Sequence, residues 1–279
     1  MTTAITEHTS NITLLNVQLY YEWYEPNVHR SNQVFLLIHG FLSSTYSFRY
    51  LIPLLAKTHT VISIDLPGFG KSEKSTSFRY SYKNYSQLII DFITAFSLKH
   101  VVLIGHSMGG QIALRTAKIA PALIERCVLI GGSAYLKRAK KAVIYSSYLP
   151  FVSFFIKKWF KKNDVKENLL TVVYNKSIVN ENLIKEYGEP LQHKRFLDCM
   201  IRLLRHREGD LLSEEMQSIA TPCLLVWGKH DKVIPLTTAH NLLTDLPNAK
   251  LVVYEDAGHL VSEEQPEKLA KDILEFLNE

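Results

Sequence analysis

The feature that most constrains this 279-residue chain is the stretch 101–110, with the sequence VVLIGHSMGG. Its first four residues are apolar and partly β-branched, which predicts a buried strand. The pattern Gly-His-Ser-Met-Gly follows, and a helical pattern begins at Gln111. A chain that passes from a strand through such a turn into a helix projects the serine hydroxyl clear of the sheet. The stretch therefore predicts that Ser107 is a nucleophile.

The residues around Ser107 meet the requirements of such a turn. Gly105 and Gly109 have no Cβ, so the backbone can pass close to the serine in a strained conformation. The amide of Met108 opens the following helix, where unpaired N–H donors and the positive end of the helix dipole favour a negatively charged oxygen. A glycine-rich turn with a bystander serine is the alternative, because the short pattern also occurs by chance.

Alternating strand-like runs and helical patterns indicate the fold class. The strand-like runs are 34–38, 61–65, 101–104, 126–130, 223–227 and 250–254. Residues 12–24 alternate, which predicts two more strands that turn near Asn16. All-apolar runs are typical of strands buried on both faces of a parallel sheet. We therefore expect an α/β fold with a mostly parallel sheet of about eight strands, covered by helices on both faces. Residues 1–10 are polar, and we expect them to be frayed.

The alternation of strands and helices stops between residues 134 and 220. Helices of the alternating part are predicted over 46–56, 84–96, 236–246 and 266–277. The stretch 134–220 has helical character, aromatic clusters and no clear strand. It predicts a helical cap inserted after the sixth strand, with residues 1–133 and 221–279 forming the core domain.

Composition is that of a soluble globular protein. Hydrophobic residues make up 47% of the chain and charged residues 21%, which excludes a disordered chain. Three scattered cysteines, Cys127, Cys199 and Cys223, fit a reducing compartment, and we expect a cytoplasmic location. Residues 1–8 lack the features of a signal peptide, and no apolar stretch is long enough to span a membrane.

A serine hydroxyl needs a base to take its proton, and the base needs an acid to orient it. His259 follows the last predicted strand, so it lies at the carboxyl edge of the sheet, where Ser107 also emerges and where open α/β sheets bind ligands. We predict that His259 is the base. Asp231 follows the preceding strand, which gives the chain order serine, acid, histidine. We predict that Asp231 is the acid.

Other histidines and carboxylates fit these roles less well. His106 lies inside the turn and points away from where a base must stand. His39 ends a strand and is expected to brace a turn, and His230 is expected to be exposed. Asp256 is too close to His259 in sequence to reach behind its ring. Asp65 is expected to cap a turn.

The second donor to a negatively charged oxygen is expected in the loop after strand 34–38. The amide of Phe41 has this position, and Gly40 allows a close approach. The phenyl ring of Phe41 would line the substrate pocket, and Trp227 and Leu260, in the regions of the predicted acid and base, are further candidates for this lining. Neither a metal-ligand cluster nor a phosphate-binding loop is present, so we expect no metal and no organic cofactor.

Five motifs carry a resemblance to a known family. They are HGF at 39–41, DLPGFGKS at 65–72, GHSMGG at 105–110, GKHD at 228–231 and GH at 258–259. With these motifs in this order, nearly the whole chain resembles the α/β-hydrolase superfamily, and within it the small esterase-like branch with a helical cap. The resemblance implies a serine hydrolase of small-molecule carboxylic esters with apolar portions, acting through Ser107, His259, Asp231 and an acyl-enzyme.

The motifs leave the substrate open. Carboxylesterases, lipases, carbon–carbon bond hydrolases and cofactor-free haloperoxidases look alike here, and some proteins of this fold keep the triad yet act as ligand receptors. Epoxide hydrolases and haloalkane dehalogenases of the fold attack with a carboxylate, and Ser107 argues against both.

The predicted cap is basic. Residues 134–168 contain nine Lys or Arg and two acidic residues, Asp164 and Glu167. Aromatic residues and lysines alternate in blocks over 142–162, including Tyr145, Tyr148 and the run KKWFKK at 157–162. Three interpretations are open: a pocket roof whose lysines face water, a helix that rests on an anionic membrane surface, and a docking face for an acidic carrier protein. Nucleic acid is not expected, because no known reader motif accompanies the charge.

Overall fold

The computed structural model describes residues 5–26, 31–149 and 164–278. Element labels number the strands and helices within these residues. Residues 150–162 of the aromatic and lysine-rich stretch at 142–162 lie outside the described residues.

One eight-stranded sheet organises the chain. Its strands are β1 Ile5–Leu14, β2 Val17–Pro26, β3 Val34–Ile38, β4 Thr60–Ile64, β5 Val101–His106, β6 Ile124–Ile130, β7 Cys223–Gly228 and β8 Ala249–Tyr254. The spatial order is β1-β2-β4-β3-β5-β6-β7-β8. β1 and β2 are antiparallel, β2 is antiparallel to β4, and every other pair is parallel. The predicted fold class is confirmed.

The first strand corrects one expectation. Residues 1–10 were expected to be frayed, but β1 begins at Ile5 and pairs with β2 along its whole length. Most of its side chains are exposed, so it carries no apolar signal, and backbone hydrogen bonds hold it. Leu15 and Asn16 turn the hairpin with φ of 50° and 58°, the two left-handed residues of a tight hairpin turn.

Helices cover both faces of the sheet. They are α1 Ile52–Leu55, α2 Tyr82–Ala95, α3 Met108–Ile119, α4 Lys141–Ser146, α5 Val165–Val172, α6 Glu181–Gly188, α7 Phe196–His206, α8 Ser213–Gln217, α9 Leu236–Asp245, α10 Val261–Glu264 and α11 Pro266–Leu277. The helix predicted over 46–56 is instead a 3-10 helix, Thr45–Phe48, followed by α1. Pro53 has no N–H, so one continuous helix would lack a hydrogen bond there.

The central strand β5 shows how the core is divided between the faces. Val101 and Leu103 pack into a hydrophobic cluster with α2, α3 and α9. Val102 and Ile104 pack into a second cluster with α1 and α11. A strand between two such clusters has no polar face, which explains its all-apolar sequence.

The described residues between β6 and β7 form helices and no strand, and we call them the insertion. Its α7 packs into the first core cluster through Phe196, Cys199 and Leu203. Leu169 and Leu183 of α5 and α6 form a separate small cluster. The division of the chain into a core of 1–133 and 221–279 and a cap of 134–220 stays a prediction. Within the part of the chain described, no helix has the length and apolar character needed to cross a bilayer.

Asp65 connects the loops that follow β3 and β4. Its side chain is fully buried, and its carboxylate accepts hydrogen bonds from the amides of Thr45 at 2.7 Å and Lys71 at 2.6 Å. Burial raises the pKa of Asp65 above its usual range. The carboxylate holds two loop segments together at the carboxyl edge of the sheet.

We expect Asp65→Ala to lower the free energy of unfolding by about 2–4 kcal/mol, because both amides lose their acceptor in a buried site. Denaturant unfolding measures the change. Asp91→Ala on the surface of α2 is the matched control, with an expected loss below about 0.5 kcal/mol. Equal losses in the two variants would show that Asp65 does not stabilise the two loop segments.

Candidate active site

Ser107 lies on the turn between β5 and α3 in a strained conformation. Its φ is +51° and its ψ is −115°, outside the regions that residues with a Cβ favour. Its amide donates to the carbonyl oxygen of Ile130 at 3.0 Å. A Cβ on Gly105 would overlap the backbone of Gly109, and a Cβ on Gly109 would overlap the carbonyl oxygen of Ile38. The turn therefore requires both glycines.

His259 and Asp231 form a hydrogen-bonded pair. Nδ1 of His259 lies 2.7 Å from Oδ2 of Asp231, and the Asp231 side chain is fully buried. Oδ1 of Asp231 accepts from the amides of Val233 at 2.8 Å and Ile234 at 2.9 Å. Since the carboxylate can only accept, Nδ1 carries the hydrogen, and Nε2 of the neutral ring is left as the base.

The loop that carries His259, residues 255–260, is called the histidine loop. It is joined to the turn of Ser107 through His106. Nε2 of His106 donates to the carbonyl oxygen of His259 at 2.9 Å, and the two rings lie 4.7 Å apart. Gly131 packs against both members of the pair, since a Cβ there would lie 3.1 Å from Oδ2 of Asp231 and 3.2 Å from Nδ1 of His259. The predicted nucleophile, base and acid, Ser107, His259 and Asp231, are thus brought to one edge of the sheet.

Two backbone amides are available beside Ser107. Gly40 runs so close to the serine that a Cβ on it would lie 3.1 Å from the Ser107 Cβ, and Phe41 is the next residue along the chain. Met108 is the first residue of α3, where helix amides have no intrahelical acceptor. No backbone acceptor within the described residues satisfies either amide.

Two buried histidines near the turn, His39 and His106, are neutral, and His230 lies at the surface. His39 donates from Nδ1 to the carbonyl oxygen of Gly40 at 2.7 Å and accepts at Nε2 from the amide of Leu66 at 3.0 Å. Burial lowers the pKa of His39 to about 4 and that of His106 to about 3. Both rings are therefore neutral near pH 7. His230 is exposed and stacks on Tyr174 at 4.5 Å.

The predicted lining residues differ in exposure. Phe41 is 46% exposed, and its ring packs edge-on against Phe69. The side chain of Trp227 is fully buried and donates from Nε1 to the carbonyl oxygen of Ile234 at 2.9 Å, and its contact with substrate stays a prediction. Leu260 packs in the small cluster of α5 and α6, and its contact with substrate stays a prediction.

Glu264, at the end of α10, was not predicted from the sequence as a residue of the site. One carboxylate oxygen accepts from the amide of Gly258 at 2.8 Å. The other accepts from the amides of Tyr174 at 2.7 Å and Asn175 at 2.9 Å. The amide of His259 also donates to the carbonyl oxygen of Val172 at 2.7 Å. Since every partner is a backbone group, no residue pattern reveals this link between the insertion and the histidine loop.

A second carboxylate makes a parallel link. Glu263 is buried and pairs with Arg49 at 2.7 Å, and Tyr187 of α6 donates to its other oxygen. Burial raises the pKa of Glu263. Adjacent residues of α10 thus bind two separate parts of the insertion.

We expect Glu264→Ala to speed amide hydrogen exchange at least about tenfold at Gly258, Tyr174 and Asn175, because these amides lose their acceptor. Exchange measured by mass spectrometry over 170–178 and 255–262 tests this. Glu267→Ala, at an exposed position in the first turn of α11, is the control and is expected to leave both segments unchanged. Unchanged exchange in Glu264→Ala would mean that the link is dispensable.

The arrangement offers nucleophilic chemistry: a hydroxyl on a strained turn, an oriented imidazole and two free amides. In the residues described, no group of three His, Cys, Asp or Glu side chains is placed to hold a metal ion.

Comparisons with known proteins identify a family and a fold. Residues 35–272 match the model of the alpha/beta hydrolase family. The uncharacterized hydrolase YugF of Bacillus subtilis is 42% identical over 265 residues, which cover 95% of this chain and 96% of that protein. A 2-hydroxy-6-oxononadienedioate/2-hydroxy-6-oxononatrienedioate hydrolase of Burkholderia vietnamiensis is 25% identical over 288 residues and 97% of each chain. The solved esterase EaEST of Exiguobacterium antarcticum superposes with a TM-score of 0.79 at 20% identity, over 98% of this chain and 100% of that one.

Proposed function

The chain belongs to the alpha/beta hydrolase family, and from that premise we propose that it hydrolyses carboxylic esters with an apolar acyl or alkyl portion. The family match and the relatives support the assignment of the chain as a hydrolase of this fold. The observation that supports the ester reaction best is the 2.7 Å contact between His259 and Asp231 beside the strained turn of Ser107.

In the proposed reaction, Nε2 of His259 takes the proton of Ser107 as the alkoxide attacks the ester carbonyl. The amides of Phe41 and Met108 donate to the negatively charged oxygen that forms. His259 then gives the proton to the leaving alcohol, and water repeats the cycle on the acyl-enzyme. Asp231 keeps the hydrogen on Nδ1, so that Nε2 stays available as the base.

The apolar side chains around the serine support an apolar substrate. The ring of Phe41 is partly exposed in the loop after β3, and Met108 directly follows Ser107 in the chain. The insertion contacts the histidine loop through Glu264 and Val172, so we propose that it acts as a cap over the bound substrate.

Carbon–carbon bond hydrolysis is the second candidate. It is favoured by the Burkholderia vietnamiensis relative, one of several homologues that hydrolyse 2-hydroxy-6-oxo acids, over nearly the whole chain. The same nucleophile, base and amides would serve that reaction, but the leaving group would be a carbon acid and not an alcohol.

We expect Ser107→Ala to lower kcat/KM on p-nitrophenyl esters by roughly 10⁴-fold or more, because no covalent intermediate can form. Turnover is measured with acyl chains from acetyl to palmitoyl, and the preferred length gives the size of the pocket. A circular dichroism spectrum like that of the wild type would show that the variant is folded.

Three results would contradict the ester reaction. Comparable turnover in Ser107→Ala would remove the nucleophile from the proposal. A single slow burst in the wild type would exclude an ordinary esterase and favour a ligand receptor, whereas turnover of a 2-hydroxy-6-oxo dienoate alone would establish the second candidate.

The acid is tested by a pair of amide substitutions. We expect Asp231→Asn to lower kcat by roughly 10³–10⁴-fold with little change in KM, because the amide no longer holds the required tautomer of His259. Asp256→Asn is the matched control, since Asp256 is exposed in the same histidine loop and is expected to leave kcat unchanged. A larger loss in Asp256→Asn than in Asp231→Asn would reverse the assignment.

A further inference from the structure

The insertion exposes a segment in which cations and apolar side chains occur together. Residues 136–149, which we call the basic–aromatic segment, contain Lys137, Arg138, Lys140 and Lys141. All four of these side chains are exposed. No acidic residue occurs anywhere between Arg126 and Asp164, so the segment has no carboxylate of its own to neutralise the charge.

The exposed apolar residues of this segment are held in place. Ile144 and Ser147 face the protein and are buried, whereas Tyr145 is 69%, Tyr148 61% and Leu149 58% exposed. Arg205 of α7 donates from Nε to the Ser147 hydroxyl at 2.8 Å and stacks on the Tyr148 ring at 3.8 Å. The exposure is therefore a feature of the folded surface.

Arginines from other parts of the chain extend the positive surface. Arg138 donates to the carbonyl oxygen of Arg205, and Arg207 donates to that of Lys137, each at 3.3 Å. Burial, together with Arg79, Arg202, Arg205 and Arg138, lowers the pKa of His206.

Nearby carboxylates offset part of this charge, since Oδ1 of Asp210 lies 4.0 Å from Nη1 of Arg207. Glu208 accepts from the amide of Tyr82 at 2.7 Å, and the buried Asp210 accepts from the Ser133 hydroxyl at 2.8 Å. Asp198 lines a cleft together with Arg202 and Arg205, next to Tyr148 and Leu149 of the segment.

We propose that the basic–aromatic segment docks the protein on an anionic membrane surface. Lysine and arginine side chains are attracted to anionic headgroups, tyrosine rings suit the headgroup region, and Leu149 can enter the boundary of the acyl chains. An acidic protein would neutralise the cations but would not require exposed Tyr145 and Leu149 among them. The combination of charge and apolar surface therefore favours lipid.

Sedimentation with lipid vesicles tests the proposal on the full chain. Vesicles of phosphatidylcholine with about one third phosphatidylglycerol are expected to bind the protein, and pure phosphatidylcholine is expected to bind it at least about tenfold more weakly. Added salt is expected to weaken binding to the anionic vesicles, because it screens the attraction.

Two double substitutions separate charge from apolar contact. Lys140→Glu with Lys141→Glu is expected to weaken vesicle binding at least about tenfold. Lys57→Glu with Lys99→Glu makes the same change in net charge at the amino edge of the sheet, near the starts of β4 and β5, and is expected to weaken it less than about threefold.

The apolar contribution has its own matched pair. Tyr145→Ser with Leu149→Ser is expected to weaken binding about tenfold, whereas Leu15→Ser with Ile119→Ser, at exposed apolar positions elsewhere, is expected to change it less than twofold. None of these residues belongs to the proposed catalytic machinery, so turnover of soluble esters is expected to stay at the wild-type level in all four variants.

Three outcomes would overturn the proposal. The first is no binding of the wild type to anionic vesicles at low salt. The second is equal weakening by Lys57→Glu with Lys99→Glu, which would mean that net charge alone attracts the protein. The third is loss of binding with the lysine pair but not with Tyr145→Ser and Leu149→Ser, which would describe a purely electrostatic surface suited to an acidic protein.

Discussion

The close approach of three backbone segments at the carboxyl edge of the sheet is the constraint on which the site depends. Gly109 packs against the end of β3, Gly105 packs against Gly109, and Gly40 packs against Ser107. Because β3 and β5 are hydrogen-bonded neighbours, the loop after β3 and the turn after β5 must share one small space. At Gly40, Gly105 and Gly109 this space leaves no room for a Cβ, so these three positions require glycine.

The parts of the site that follow β7 and β8 are held differently. Side chains position them: Asp231 holds its own loop through two amides and faces the imidazole with its other oxygen. His106 and Glu264 hold the histidine loop through hydrogen bonds to its backbone. The strained turn is thus fixed by shape, and the base is fixed by hydrogen bonds to buried partners.

Sequence patterns predicted the elements whose burial is uniform. The apolar strands and the helix over 266–277 match the structure because their periodicity reflects burial on two faces or on one. Residues 5–11 of β1 were not predicted as a strand, because an edge strand with solvated side chains is held by backbone pairing alone. Position at a strand end does not reveal whether a side chain turns toward the core or the cleft, and Trp227, predicted to line the pocket, packs in the first core cluster. Glu264 was missed because amide groups, present at nearly every residue, are its only partners.

The bond pattern of Glu264 also affects which positions can vary in sequence. Its three partners are the amides of Gly258, Tyr174 and Asn175, and a backbone amide survives every substitution except proline. The side chains at Tyr174 and Asn175 can therefore change freely without loss of the link, whereas Glu264 itself cannot. An insertion joined to the core in this way can be replaced by a different sequence of the same backbone path, so that the surface of the insertion can diversify while the histidine loop stays in place.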